Sequence, residues 1–162
     1  MLHLIPAPAH RAAFRLAHAL RKLWWRLRKP HLSGCRIIAR DPAGRVLLVR
    51  HSYGSGHWML PGGGLKRGED PLAAAAREFA EETGCELGDA GRIAVTTEPL
   101  AGTVNTVHVI AGTCTGAPRA DGREIVEAEF FAPGDLPQSC ARGLRAALPG
   151  WLTAAEAASP QE

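Results

Sequence analysis

Three glutamates that lie close together in one segment have the residue type and spacing to do chemistry. Glu78, Glu81 and Glu82 stand at positions i, i+3 and i+4, which puts their carboxylates on one face of a helix. Like charges on one face repel each other, whereas a hard cation such as Mg2+ prefers oxygen ligands and keeps waters that phosphates can displace. The spacing therefore suits either a metal site that could act on phosphates or a solvated acidic helix face, and the flanking residues favour the metal site.

The residues around these glutamates predict a capped helix. Asp70 suits the N-cap, Pro71 the first helical position and Gly84 a left-handed C-terminal position. The run Pro-Gly-Gly-Gly at 61–64 predicts a tight loop whose backbone can approach a ligand closely. An apolar stripe beside the carboxylate face should pack on a sheet, and it would consist of Leu72, Ala75, Ala76 and Phe79.

Taken together, this segment resembles the Nudix box. All of its fixed positions are present at the right spacing, namely Gly63, Glu69, Arg77, Glu78, Glu81, Glu82 and Gly84. Phe79 and Cys85 fill the two apolar positions, where aliphatic residues are more usual. The resemblance extends to residues 57–64 before the box and 124–137 after it, and it covers roughly residues 34–150.

The resemblance implies a fold and an activity. The fold is an α/β/α sandwich with a mixed sheet and a helix on each face. The activity is that of a divalent-metal-dependent hydrolase, which uses Mg2+ or Mn2+ to cleave the diphosphate linkage of a nucleoside diphosphate derivative or a nucleoside triphosphate. A Nudix-fold nucleotide-binding or regulatory module without hydrolysis is the alternative, because a fold does not determine a function. The complete glutamate set favours the enzyme.

The resemblance also implies roles for individual residues. The metal ligands would be Glu78, Glu81 and Glu82 with the backbone carbonyl of Gly62, and Gly62 and Gly63 would contact the substrate. Arg77 would pair with Glu69 and hold the loop on the helix, which is a structural role.

The general base does not transfer with the box, because relatives take it from different places. Glu127 is the predicted general base among the late acidic residues, with Glu124, Glu129 or a box glutamate as alternatives, and with solvated edge charges as the non-catalytic interpretation of the late residues. Tyr53 is predicted to stack on a base, whereas Trp58 in the same region is expected to be core. His51, His57 and His108 could each contact phosphate or be ordinary strand residues.

Composition agrees with one small enzyme. The 162 residues suffice for a single domain with a sizeable core, and no apolar run is long enough to span a bilayer. Four scattered cysteines, Cys35, Cys85, Cys114 and Cys140, form no CxxC pair. They are expected to be reduced core residues, which predicts a cytoplasmic protein.

Residues 1–30 form a basic head. They hold seven cations and no acid, which leaves 12 of the 19 cations against 16 acids in the rest of the chain. Leu16, Leu20, Leu23 and Leu27 recur at helical spacing with Trp24 beside them, so the head predicts a basic amphipathic helix. Such a helix packs on its own domain, on a second subunit in a homodimer, or weakly on an anionic membrane surface. No specific nucleic-acid partner is predicted.

The expected domain organisation has three parts. Residues 1–33 form the helix and a linker, 34–150 the catalytic domain with every catalytic residue named above, and 151–162 a tail. Pro30 ends the first helix and residues 31–34 serve as the linker. Strands are expected over 35–41, 45–50, 92–97, 103–113 and 124–131. A last helix over 139–148 should stop at Pro149-Gly150, with a frayed tail from residue 154.

Overall fold

A computed structural model describes residues 7–28, 30–100 and 102–158. Within these residues the helices are α1 (Ala7–Arg28), α2 (Pro71–Thr83) and α3 (Leu144–Ala158). The strands are β1 (Leu32–Arg40), β2 (Val46–His51), β3 (Trp58–Met59), β4 (Gly88–Leu100), β5 (Thr103–Thr113) and β6 (Ile125–Phe131). No helix in this part of the chain has the length and apolar character needed to cross a membrane.

The strands form one mixed sheet. Its order is β3-β2-β1-β5-β4, and β6 pairs with β2 outside this path. Strands β1 and β5 run parallel, from Leu32 opposite Asn105 to Arg40 opposite Thr113. The pairs β1–β2, β4–β5 and β2–β6 are antiparallel. The mixed sheet expected from the sequence is confirmed.

One helix covers each face of this sheet. Because successive side chains of a strand point to opposite faces, neighbouring residues of β1 enter different cores. Ile37 and Leu47 pack with Phe79 of α2, whereas Ile38 packs in the cluster that contains Leu148 of α3. The predicted α/β/α sandwich is therefore confirmed.

Strand β1 begins earlier than the sequence predicted. Residues 31–34 were expected to be a linker, yet Leu32, Ser33 and Gly34 already pair with residues 105–107 of β5. The pairing partner lies about 70 residues away in the chain, so no local pattern reveals it. The catalytic fold therefore begins within the predicted linker.

The last helix differs most from its prediction. Helix α3 runs from Leu144 through Pro149 to Ala158, instead of ending at residue 148. An interior proline costs about 3 kcal/mol, but Leu148, Trp151 and Leu152 keep the helical period across it and pack against the sheet. The predicted frayed tail is wrong for residues 154–158, and residues 159–162 lie outside the described part.

Helix α1 does not bury its leucines on its own domain, which was one of the predicted alternatives. Leu16, Leu20, Leu23 and Leu27 are 63%, 58%, 53% and 75% exposed. Contact with the domain comes instead from Phe14, whose ring stacks on that of Tyr53 at a centroid distance of 6.2 Å. The adjacent Arg15 donates from Nε to the backbone carbonyl of Ser52 at 3.1 Å.

Candidate active site

Helix α2 carries the predicted caps. The Asp70 side chain accepts from the backbone N–H groups of Leu72 and Ala73, and Pro71 is the first helical residue. Gly84 ends the helix in the left-handed conformation with φ 68°. These caps fix the two ends of the helix, and they therefore fix the positions of its glutamates along the helix axis.

The buried side of α2 is rotated from the predicted apolar stripe. Ala75 and Phe79 are buried as expected, but Leu72 and Ala76 are exposed. Buried residues of the helix are Ala74, Ala75, Phe79, Glu82 and Thr83. The carboxylate face and the buried face therefore overlap at Glu82, where the sequence had placed them side by side.

Glu82 joins three parts of the site. Its side chain is buried, with Oε1 2.9 Å from Nε2 of His51 and Oε2 accepting the Gly62 N–H at 2.9 Å. Burial raises the pKa of the Glu82 carboxyl, while the hydrogen bonds from His51 and Gly62 oppose that rise. This one carboxylate links α2 to the end of β2 and to the glycine loop.

The loop requires glycine at two consecutive positions, and the structural reason differs between them. At Gly62 φ is 141°, and a Cβ would lie 2.2 Å from the carbonyl oxygen of Cys35. At Gly63 a Cβ would lie 2.4 Å from the carboxylate carbon of Glu78. Gly62 is needed for the backbone path, whereas Gly63 leaves room for the Glu78 carboxylate.

Arg77 holds the loop against the helix, in the predicted pairing with Glu69. Its Nε and Nη2 donate to the two Glu69 carboxylate oxygens, each at 2.9 Å. Nη1 also donates to Oε1 of Glu78 at 2.7 Å, and Nη2 reaches the Gly64 carbonyl at 3.3 Å. Arg77 thus positions the Glu78 carboxylate as well as the loop.

This ion pair gives the fold an acid-sensitive component. Hydrogen bonds from Arg77 and from the Lys66 N–H lower the pKa of Glu69 from 4.5 to about 2. A carboxyl whose pKa is depressed by folding stabilises the fold above its unfolded pKa and loses that contribution as pH falls toward the folded value. The stabilisation from this ion pair is therefore lost as the pH falls from 4.5 to about 2.

We expect Glu69→Gln to melt at a lower temperature than the parent near neutral pH, because the charged hydrogen bonds to Arg77 are lost. The difference should shrink as pH falls through that window, since the parent loses the same contribution on protonation. Thermal melts at a series of pH values measure this. Glu86→Gln, at an exposed position, is the matched control and should show no such convergence. A difference for Glu69→Gln that stays constant down to the lowest pH would contradict the assignment.

The third box glutamate lies apart from the other two. Glu81 is 62% exposed, and its Oε2 is 3.7 Å from Nη1 of Arg77. Glu78 and Glu82 instead face the Gly62–Gly63 loop. In residues 7–28, 30–100 and 102–158, no three His, Cys, Asp or Glu side chains stand close enough together to hold a metal ion.

The donor chemistry nevertheless fits a hard divalent ion. Glu78 and Glu82 offer carboxylate oxygens beside a loop of peptide groups, with Glu81 one turn from Glu78 on the same helix. Oxygen-only donors of this kind suit Mg2+ and Mn2+ rather than softer metals. The gap that Gly63 leaves for the Glu78 carboxylate puts that donor directly against the loop.

A cavity of about 710 Å3 adjoins the loop. Its lining includes Gly62, Gly63, His51 and Tyr53, together with Trp25 of α1. A smaller cavity of about 420 Å3 is lined by Arg15, His51 and Tyr53 among others. The three residues predicted to contact substrate thus share one cavity. Trp25 places helix α1 in part of the wall of that cavity, while the assignment of every catalytic residue to residues 34–150 stays a prediction.

The late acids have partners of their own. Glu127 lies opposite Arg50 in the β2–β6 register, and its carboxylate pairs with that guanidinium. Glu124 accepts a hydrogen bond from the Tyr53 hydroxyl at 2.8 Å. Neither carboxylate lines the cavity beside the glycine loop. A catalytic role for Glu127 stays a prediction.

His51 is the site residue whose role sequence reasoning missed. It was expected to contact phosphate or to be an ordinary strand residue. It is the last residue of β2, and in addition its Nε2 lies 2.9 Å from Oε1 of Glu82, 31 positions away. A register shift between Arg50 and His51 interrupts the β2–β6 ladder at this point. No spacing rule relates positions 51 and 82, so only the fold shows the contact.

Two aromatic predictions and the cysteine prediction can be compared with the structure. Trp58 is core, with its ring edge-on to Phe131 at 5.0 Å, while Tyr53 lies at the cavity wall. All four cysteines are free, and three of them are buried. The buried Trp58 and the free cysteines agree with the sequence-based expectations, except that Cys140 is only partly buried. Stacking of Tyr53 on a base stays a prediction.

These features define the class of protein as an α/β/α sandwich, with a glutamate-bearing helix packed behind a glycine loop and a cavity that adjoins this loop. The chain belongs to the Nudix family, since the NUDIX domain model matches residues 30–150. That match confirms the resemblance recognised in the sequence and the prediction of a Nudix hydrolase-type enzyme. It also begins just before β1, in agreement with the early start of the catalytic fold.

Several known proteins are similar to this chain. The "Putative 8-oxo-dGTP diphosphatase" of Bacillus subtilis (strain 168) is 32% identical over 108 residues, 66% of this chain and 70% of that protein. An isopentenyl-diphosphate Delta-isomerase of Streptomyces griseus is 33% identical over 134 residues, 74% of this chain and 66% of that protein. The solved MutT NUDIX hydrolase of Burkholderia pseudomallei is 30% identical with a TM-score of 0.66, covering 74% of this chain and 97% of that one. These relatives establish family and fold, while their names give different reactions.

Proposed function

We propose that this protein is a divalent-metal-dependent hydrolase that cleaves the diphosphate linkage of a nucleoside diphosphate derivative or a nucleoside triphosphate. One observation carries the proposal. Glu78 and Glu82 converge on the Gly62–Gly63 loop, and the same loop lines a cavity of about 710 Å3. A cavity of this volume takes a small-molecule ligand, whose phosphates would lie against the glycine loop. Glu78 and Glu82 meet that loop but do not themselves line the cavity.

The box glutamates and the glycine loop would supply the metal ligands. Glu78 and Glu82, with Glu81 and the Gly62 carbonyl, would hold Mg2+ or Mn2+. The ion would neutralise phosphate charge and lower the pKa of a bound water. Arg77 keeps Glu78 in position through its 2.7 Å hydrogen bond.

The cavity wall would bind the rest of the substrate. The Tyr53 ring, which contacts the rings of Phe14 and His51, lines the cavity and would be its aromatic contact for a base. Gly62 and Gly63 would allow phosphate oxygens to approach the backbone, because neither residue carries a Cβ. The glycine loop and Tyr53 would thus bind opposite ends of one nucleotide.

Product analysis with purified full-length protein tests this function. We expect release of a monophosphate from at least one nucleotide in a panel of nucleoside diphosphate derivatives and triphosphates when Mg2+ or Mn2+ is present. EDTA should stop the reaction and added metal should restore it, because the carboxylates need the ion to act on a polyanion. Turnover that persists in EDTA would contradict the proposal, as would no turnover across the panel with either metal.

A non-hydrolytic nucleotide-binding module is the second candidate. It is favoured by one observation, that Arg77 already donates to Oε1 of Glu78 at 2.7 Å. Calorimetric titration separates the two candidates. A binding module would bind a nucleotide stoichiometrically, with the nucleotide recovered intact after incubation with metal.

A further inference from the structure

Helix α1 has two different sides. One side contacts the domain through Phe14 and Arg15, and Trp25 on that side lines the large cavity. The other side carries an outward leucine face, which we define as Leu16, Leu20, Leu23, Trp24 and Leu27. All five residues are between 52% and 75% exposed.

This face is too large and too regular to be incidental. Its leucines recur at intervals of three and four residues over residues 16–27 of the helix, so they form one continuous apolar stripe. Contiguous apolar patches of this kind on a folded protein mark a surface that meets a membrane or another protein. In this structure the domain contacts the opposite side of the helix through Phe14 and Arg15, so the outward leucine face is available to a partner.

Charge distinguishes between the possible partners. Residues 1–30 contain seven cations and no acid, whereas the rest of the chain has 12 cations and 16 acids. Two copies meeting through their outward leucine faces would bring two such basic segments together and repel. An anionic bilayer would instead attract each cation near its surface and accept the leucines at the boundary between headgroups and acyl chains.

We propose that α1 docks this protein on anionic phospholipid surfaces, with the outward leucine face lying in the interface. Trp24 belongs to the residue type that favours the headgroup level. The helix lies on the bilayer and does not cross it, in agreement with the absence of a membrane-spanning helix among the described residues. None of the five residues of the face lines the large cavity, so variants of this face leave the lining of that cavity unchanged.

Vesicle co-sedimentation of the full chain tests the docking. We compare phosphatidylcholine vesicles with and without phosphatidylglycerol, and we expect binding only to the anionic ones. Raising the salt from about 0.1 M to about 1 M should weaken this binding, because the Debye length falls from about 10 Å to about 3 Å.

A paired variant and a matched control make the test specific. Leu20→Gln combined with Leu23→Gln should weaken vesicle binding by at least about tenfold, because two large apolar side chains leave the interface. Val95→Gln combined with Val104→Gln removes two similarly exposed apolar side chains, 52% and 51% exposed, from strands β4 and β5. That control should bind as the parent does. Thermal melts of both double variants establish that they are folded.

Two results would overturn the docking. One is no co-sedimentation of the parent with anionic vesicles, and the other is equal loss of binding in the leucine and valine variants. Sedimentation velocity of the same proteins identifies the competing occupant. If the parent is a dimer that the leucine variant dissociates, and it does not bind vesicles, the outward leucine face is a contact between two copies of this chain.

Discussion

A Glu82→Gln variant is expected to lose about two orders of magnitude in kcat while its melting temperature without metal stays close to that of the parent. The substitution keeps the shape of the side chain and an oxygen that can accept the Gly62 N–H, now bonded to Glu82 at 2.9 Å. It removes the charge that would hold the metal ion, and a metal ion contributes several kcal/mol of transition-state stabilisation, with each 1.36 kcal/mol worth about tenfold in rate.

The stability part of this prediction has its own physical reason. Burial raises the pKa of Glu82, so the fold gains little from the charge itself, and a neutral amide avoids the desolvation of a buried carboxylate. Steady-state kinetics with Mg2+ and calorimetric melts in EDTA give the two readouts. Glu86→Gln applies the same change at an exposed position after α2 and should leave both unchanged.

Two outcomes would count against the assignment of Glu82. Near-parental turnover would mean that Glu82 does not hold the metal ion. A large fall in the EDTA melt would mean that the lost activity reflects a damaged contact between His51, Glu82 and Gly62 rather than a missing ligand.

A Gly63→Ala variant is expected to fold normally and to lose about tenfold to a hundredfold in turnover. The new Cβ would lie 2.4 Å from both the carboxylate carbon and Oε2 of Glu78, so the carboxylate must move. Because this is the flexible end of a side chain, the backbone is not strained, and Gly63 does not have a positive φ. Displacing a reacting group by about 1 Å can cost about a hundredfold in rate.

The neighbouring glycines provide the comparison. A Cβ at Gly64 would meet only the Ser33 carbonyl at 4.0 Å, so Gly64→Ala should have a far smaller effect on turnover. At Gly62 the Cβ would collide with backbone at 2.2 Å, and φ is 141°, so Gly62→Ala should lower the melting temperature itself.

Kinetics over a metal titration, together with melts, distinguish the three variants. Gly63→Ala should also need more metal for half-maximal rate than Gly64→Ala does. Equal rates for these two variants would show that the position of Glu78 is not critical for the reaction.

The sequence by itself determined the local features of this protein. Asp70, Pro71 and Gly84 fixed the ends of α2, because caps act through hydrogen bonds and dihedral angles within a few residues. The spacing of Glu78 and Glu82 put both on the helix face that meets the glycine loop, and the pairing of Arg77 with Glu69 followed from the family pattern. The mixed sheet and the two covering helices also followed from that pattern.

Only the tertiary structure decided how the distant parts meet. It brought His51 to Glu82, paired Glu127 with Arg50, and turned α1 so that Trp25 lines the cavity while Leu20 faces outward. It also carried α3 through Pro149, because packing on the sheet outweighs a local preference. Each of these contacts and orientations depends on the register of the strands and on packing between segments that are far apart in the chain. The spacing of neighbouring residues encodes neither of these.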